Sequence, residues 1–108
     1  MNSIQDCLIS NNTDVDKNPT GGCVVGTGLN IAWQDGPLGR EPYRALPNGA
    51  FVETVISAVI QRLQFYQDSK YSCRENAIAI TKLEEANLWL NKRTVDRENR
   101  QVEGTHEK

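Results

Sequence analysis

The chain has 108 residues, enough for one small domain but too few for a catalytic domain with a separate regulatory one. Its 12 lysines and arginines against 14 aspartates and glutamates give a formal net charge of −2, which argues against a protein that coats polymeric nucleic acid. Apolar residues make up 38% of the chain and aromatic residues 6%, a lean supply for a core, so we expect subunit association to complete it.

Residues 1–46 contain short runs rich in β-forming residues, at positions 4–9, 23–25 and 29–33. The polar segment 11–20 and several glycines separate them, which predicts two or three short strands in a small antiparallel sheet. Gly26-Thr27-Gly28 begins like a dinucleotide-binding fingerprint, but Ile31 stands in place of the third glycine and no helix follows. We therefore expect a turn there.

Residues 35–48, DGPLGREPYRALPN, have a glycine or proline every few positions and two arginines, Arg40 and Arg44. This composition is typical of an ordered loop and not of a helix or strand. We expect it to cover a ligand.

From Ala50 onward the apolar spacing becomes helical. The residues that follow the i, i+3, i+4, i+7 rule are Val52, Val55, Ile56, Val59, Ile60, Leu63 and Tyr66. Residues 68–72 break the pattern, and a second helix is predicted over 73–103, with Gly104 as its left-handed terminator. The predicted fold class is therefore α+β: strands and loop over 1–46 and a long antiparallel helical hairpin over 47–104, in a single domain spanning 1–108.

One face of the second helix changes from apolar to basic along its length. A 4-3 spacing passes through Asn76, Ala79, Leu83, Ala86, Leu90, Arg93, Arg97 and Arg100. These arginines have two interpretations: a solvated helix end offset by Asp96, Glu98 and Glu103, or guanidinium groups that bind a pyrophosphate with help from Arg40 or Arg44.

Asn76 and Arg93 lie 17 positions apart, roughly 25 Å along a helix, which is longer than a compact dinucleotide. If both contact one ligand, the second helix of another copy must run antiparallel beside the first in a two-fold interface. The alternative is a structural or protein-binding module in which this face only forms a dimer.

Three aromatic residues, Phe65, Tyr66 and Tyr71, cluster where the first helix ends. They would stack on a base, or else fill the core at the helical turn. Trp33 and Trp89 are expected to pack against the opposite layer.

The sequence offers no evident catalytic, metal or membrane machinery. His106 is the single histidine, the three cysteines have no Cys-x-x-Cys spacing, and no nucleophile stands beside a base. No run approaches the roughly 20 apolar residues that span a bilayer, and no signal peptide is recognisable. We expect a soluble cytoplasmic protein that is not an enzyme and uses no cofactor or metal. The catalytic alternative is a cyclic-nucleotide hydrolase that works with arginines and one acidic residue.

Five segments together resemble a known family: WQDGPLG (33–39), PNGAFVETVISA (47–58), RLQFYQDSKY (62–71), RENAIAITKLEEANLWLNKRT (74–94) and DRENRQVEGTH (96–106). They are similar to the phage anti-Thoeris cyclic-nucleotide sponges, and the helical part resembles the hairpin of the phage anti-CBASS sponges. The resemblance implies capture, in the host cytoplasm, of glycocyclic ADP-ribose signals without cleavage. It also implies homodimers or, as trimers of dimers, homohexamers with further sites for cyclic di- and trinucleotides.

The resemblance also implies which residues bind the ligand. The family pocket lies between protomers and is lined by an aromatic residue late in the first helix, an asparagine early in the second, arginines late in the second and a loop arginine. The corresponding residues here are Phe65 or Tyr66, Asn76, Arg93 and Arg97, with Arg40 or Arg44 in the loop. Arg74 is the candidate for the second class of site.

Overall fold

The computed structural model describes residues 6–101 and 103–106. Its elements are β1 (Leu8–Thr13), β2 (Pro19–Gly26), β3 (Leu29–Ala32), α1 (Val52–Gln67) and α2 (Arg74–Asn99). The predicted α+β class, with strands first and a helical hairpin second, is confirmed. The chain forms two compact units, one with the sheet, the loop and residues 103–106, the other with both helices, Val52–Gln101. The expectation of a single domain over 1–108 stays a prediction.

The three strands form an antiparallel sheet in the order β1-β2-β3. The predicted first strand, 4–9, is misplaced: residues 4 and 5 lie outside the described part of the chain, and β1 begins at Leu8 and continues through the polar residues to Thr13. Every residue of β1 is exposed, so polar side chains fit there while the backbone bonds to β2. Local polarity is therefore a poor guide to this strand.

Two tight turns connect the strands. In the first, the Asp14 carboxylate accepts the backbone N–H groups of Asp16 (2.8 Å) and Asn18 (3.0 Å). The backbone hydrogen bond from Asn18, with smaller contributions from its side chain and from Asp16, lowers the pKa of Asp14. The second turn holds Thr27 and Gly28, with Gly28 at φ +72°, and it confirms the predicted turn.

The segment between β3 and α1 has no helix or strand, as predicted for 35–48. Its two ends meet: Ala50 donates its N–H to the Ala32 carbonyl (2.7 Å) and accepts the N–H of Gln34 (2.9 Å). The Asn48 side chain accepts the N–H of Asp35 (2.8 Å) and donates to the Asp35 carbonyl (3.1 Å). This segment is an ordered loop closed at its base by an asparagine.

Both helices of the hairpin are confirmed, and α2 is shorter than predicted. It ends at Asn99 after 26 residues, where the N–H groups of Arg100 and Gln101 bond to the carbonyls of Asp96 and Glu98. Gln101 takes the left-handed conformation (φ 62°), so the prediction that Gly104 terminates the helix is wrong.

The connection between the helices is held by Gln67, the last residue of α1. Its side-chain amide donates to the Cys73 carbonyl (3.0 Å) and accepts the Cys73 N–H (2.9 Å), which closes the turn in both directions. Farther along the hairpin, Asn87 donates to the Ser57 hydroxyl across the two helices (3.1 Å). These bonds fix the pairing of α1 and α2 at two levels.

The face of α2 predicted from the 4-3 spacing is half-buried from Asn76 through Leu90. Beyond Leu90 the half-buried residues are Thr94 and Arg97, while Arg93 and Arg100 are exposed. A straight helix has 3.6 residues per turn and drifts by about 20° per heptad from a strict 4-3 repeat, which accounts for the change.

Within the described part of the chain, no residue is fully buried. Trp33 is half-buried, but the Trp89 ring is 65% exposed and Leu88 beside it is 69% exposed, so the expectation that Trp89 packs is wrong for the single chain. Neither described helix combines the length and apolar character needed to cross a membrane. The described residues of one chain do not enclose a core, so these apolar side chains are available to another surface.

Gly104→Ala is expected to lower the thermal midpoint further than Gly28→Ala. Both glycines have positive φ (+79° and +72°), so either alanine carries the left-handed strain of about 1–2 kcal/mol. A Cβ at Gly104 would also collide with the Gly39 carbonyl, adding about 1–3 kcal/mol, whereas a Cβ at Gly28 meets nothing within 4 Å. Equal shifts of the two variants in thermal unfolding would show that the close approach of Gly39 and Gly104 is not structurally important.

Candidate functional site

The end of α1 presents an aromatic pair to solvent. The rings of Phe65 and Tyr66 meet edge to face with centroids 6.1 Å apart, and they are 59% and 37% exposed. The guanidinium carbon of Arg62 lies 4.9 Å from the centroid of each ring, and Arg62 Nε donates to the Tyr66 hydroxyl (3.1 Å). The two candidate stacking residues therefore belong to one cluster that Arg62 holds together.

Asn76 and the two late arginines share α2 but lie near its opposite ends. Asn76 is half-buried in the first turn, Arg93 is exposed, and Arg97 is half-buried near the last turn. Because α2 is one uninterrupted helix, the 17 positions between Asn76 and Arg93 correspond to roughly 25 Å. A single chain does not bring these two side chains to one small ligand.

Two of the three carboxylates expected to offset the late arginines pair with cations other than Arg93. Asp96 pairs with Lys92 (3.3 Å), and Glu103 pairs with Arg44. Among the described residues, no carboxylate forms an ion pair with Arg93. The interpretation of Arg93 as part of a neutralised helix end is therefore weakened.

Both loop arginines bind residue 103. Arg44 makes two parallel hydrogen bonds to the Glu103 carboxylate (2.6 and 2.7 Å), and Arg40 Nη1 donates to the Glu103 carbonyl (3.2 Å). The N–H of Gly39 donates to the Gly104 carbonyl beside them (2.7 Å). The loop is thereby tied to the segment that follows α2.

Arg74 lies at the start of α2, on the edge of an open depression of about 390 Å³. The other lining residues are Ala77, Ile78, Thr81 and Lys82, which share one face of the helix. Two cations beside an apolar floor are suited to an anionic, partly apolar ligand.

The predicted site residues fall into both compact units. Arg40 and Arg44 belong to the unit with the sheet, and the aromatic pair, Asn76 and the arginines of α2 belong to the helical unit. In the described ranges, no three histidine, cysteine or acidic side chains lie close enough together to hold a metal ion.

A double-mutant cycle on Arg44 and Glu103 is expected to give a coupling energy of about 1 kcal/mol, the upper end for partly exposed ion pairs, because the contact is bidentate. The single variants Arg44→Ala and Glu103→Ala and their combination are compared by denaturant unfolding. The Lys92 and Asp96 pair is the control, with one contact at 3.3 Å and a smaller expected coupling. A coupling near zero for Arg44 and Glu103 would contradict this assignment.

Comparison with known proteins identifies the helical part. Residues 27–95, more than half of the chain, match the model of the Acb2/Tad1 hairpin domain. The chain belongs to this family. A curated relative, "Thoeris anti-defense 1" of Bacillus phage SBSphiJ7, is 66% identical over 61 residues, which are 56% of this chain and 43% of the relative. The match thus spans less than half the length of that relative. The family resemblance predicted from the sequence is confirmed.

The matched hairpin-domain region contains Arg40, Arg44, the aromatic pair, Asn76 and Arg93, whereas Arg97 and Glu103 lie beyond its end. Sequence reasoning missed Arg62, and it named Glu103 only as a carboxylate that offsets the late arginines, not as the partner of Arg44. Arg62 precedes Phe65 and Tyr66 by three and four positions, the helical spacing that places side chains side by side, and this signal was available. Glu103 lies 59 positions from Arg44, and no local pattern predicts their pairing.

Proposed function

We propose that this protein is a phage anti-Thoeris protein that binds and sequesters cyclic ADP-ribose isomers in the host cytoplasm without cleaving them. The observation that carries the proposal is membership of the Acb2/Tad1 hairpin family together with 66% identity to a phage protein named for anti-defence against Thoeris. Holding the signal is enough to keep the defence effector inactive, so no catalytic step is needed.

The charged and aromatic groups of the hairpin suit a ligand that has a base and a pyrophosphate. Arg93 and Arg97 stand one helical turn apart, and planar guanidinium groups bind phosphate oxygens in pairs. Tyr66 or Phe65 offers an exposed ring for the adenine, and Asn76 offers an amide for a ribose hydroxyl or a base edge. Arg40 and Arg44 stay predicted contacts on the strength of the family resemblance.

Each pocket is proposed to combine two chains. The separation of about 25 Å between Asn76 and Arg93 supports an antiparallel arrangement in which the asparagine of one copy meets the arginines of its partner. The exposed Leu88 and Trp89 on α2 support self-association, because the described part of a single chain buries no residue fully. The assembly is a homodimer or a homohexamer built as a trimer of dimers.

Sequestration requires tight binding. Each bound signal molecule occupies one pocket, so the dissociation constant must lie well below the signal concentration, and slow release matters more than fast capture. Charge-assisted hydrogen bonds of roughly 1.5–3 kcal/mol each, with stacking of roughly 1–3 kcal/mol, reach nanomolar affinity in a preformed pocket.

Titration calorimetry of the full chain with cyclic ADP-ribose isomers tests the proposal. We expect nanomolar binding of at least one isomer at one ligand per pocket. An intact oligomer that binds no isomer would instead support a structural or protein-binding module. Titration with cyclic di- and trinucleotides, compared with an Arg74→Ala variant, tests the second class of site: the expected result is binding that Arg74→Ala weakens without changing the affinity for cyclic ADP-ribose.

A further inference from the structure

Arg62 is the only lysine or arginine in α1, and its environment is unusual for an exposed arginine. Its guanidinium lies over both the Phe65 and Tyr66 rings at 4.9 Å, and only its Nε is committed, to the Tyr66 hydroxyl. Within the described part of the chain, no carboxylate forms an ion pair with it. The charge is therefore held in place without being neutralised.

Arg44, unlike Arg62, is neutralised by a carboxylate. Its guanidinium donates from both Nη atoms to the Glu103 carboxylate, an arrangement that uses up its paired donors on the protein itself. Arg62 is instead positioned by the attraction of its charge to the two rings and by the hydrogen bond from Nε to the Tyr66 hydroxyl. Because this hydrogen bond uses only Nε, the Nη donors of Arg62 are not committed to any described residue and can bind another group.

The neighbouring rings suggest what that group is. An exposed Phe and Tyr side by side offer a stacking surface for a base, and in an adenosine phosphate only a ribose separates the base from the first phosphate. A positively charged planar donor beside a stacking surface suits that phosphate.

Building on the proposed function, we propose that Arg62 is a ligand-binding residue that donates from Nη1 and Nη2 to a phosphate oxygen of the nucleotide whose base stacks on the Phe65 and Tyr66 pair. Arg62 thus has two roles: it fixes the orientation of the two rings, and it supplies a guanidinium in addition to those of Arg93 and Arg97.

The test is calorimetry with a cyclic ADP-ribose isomer on the wild-type chain and on Arg62→Gln and Arg62→Lys, at low and high salt. Arg62→Gln is expected to weaken binding at least tenfold and to reduce its salt dependence, because one charge contact to phosphate is lost. Arg62→Lys keeps the charge but loses the planar face, so an intermediate affinity with the wild-type salt dependence is expected. Lys92→Gln, at an exposed cation of α2 that pairs with Asp96, is the control for loss of one charge, and circular dichroism checks the helices of each variant.

The outcomes separate this inference from the proposed function. A wild-type chain that binds no isomer removes the proposed function and this inference with it. Wild-type binding that Arg62→Gln leaves unchanged overturns the role of Arg62 alone. Weaker binding of Arg62→Gln with an unchanged salt dependence also overturns the phosphate contact, since it shows that Arg62 only orients the rings.

Discussion

Replacement of both Arg93 and Arg97 by alanine is expected to abolish measurable binding of cyclic ADP-ribose isomers. In the proposed pocket each guanidinium would donate charge-assisted hydrogen bonds to a desolvated pyrophosphate at roughly 1.5–3 kcal/mol, so each single variant is expected to weaken binding roughly 10- to 100-fold. Asn76→Ala is expected to weaken binding by a smaller factor, because its amide is neutral. Calorimetry on the purified variants measures these effects.

Lys92→Ala is the matched control for the arginine variants. Lys92 precedes Arg93 on α2, and its ammonium pairs with Asp96 on the helix surface, so its removal changes the local charge without removing a proposed ligand contact. We expect its affinity to lie within about threefold of wild type, since an exposed ion pair on a helix contributes little. Binding by the double arginine variant at the level of Lys92→Ala would contradict the assignment of Arg93 and Arg97.

Trp89→Lys is expected to convert the proposed oligomer to a monomer and to abolish ligand binding with it. Trp89 and Leu88 are the most exposed large apolar residues on α2, and a lysine in an apolar interface leaves a buried charge without a partner. Sedimentation equilibrium measures the mass of the assembly, and circular dichroism establishes that the hairpin is retained.

Val15→Lys is the control for the tryptophan variant. Val15 is 98% exposed, and it lies in the turn between β1 and β2, which contains no proposed interface residue. Its substitution is expected to leave the mass of the assembly unchanged. If Trp89→Lys sediments with the wild-type mass, α2 does not form the interface through this residue.

The hairpin was predictable because its signals are local. Two helices are defined by patterns within their own segments: an apolar period of 3.6 residues over α1, a polar break at 68–72 and a second long amphipathic run. These patterns do not depend on the rest of the molecule. The end of α2 was not predictable to the residue, since Gln101 adopts a left-handed conformation that glycine usually takes. The strict 4-3 spacing also failed at Arg93 and Arg100, which are exposed, because helical drift brings Thr94 to the half-buried face instead of Arg93.

The sheet and the loop depend more on contacts between distant residues. β1 carries exposed polar residues whose strand conformation comes from pairing with β2, so their composition resembles a loop. The contacts of the loop arginines also depend on distant residues. The sequence predicted a cationic loop, but Glu103, the partner of Arg44, lies 59 positions away along the chain. The contact between Phe65 and Tyr66 was predictable because the two residues are neighbours on one helix. Arg62 was predictable as a third member of the cluster, because residues three and four positions apart on a helix lie side by side.

We propose that the protein holds its signal molecule intact. The most direct measurement is to incubate the full chain with a cyclic ADP-ribose isomer, remove unbound ligand, denature the protein by heat and analyse the released material by chromatography. The predicted result is unmodified ligand in an amount that matches the number of pockets and does not fall with longer incubation. Release of a linear or cleaved product that increases with time would show a hydrolase and contradict sequestration.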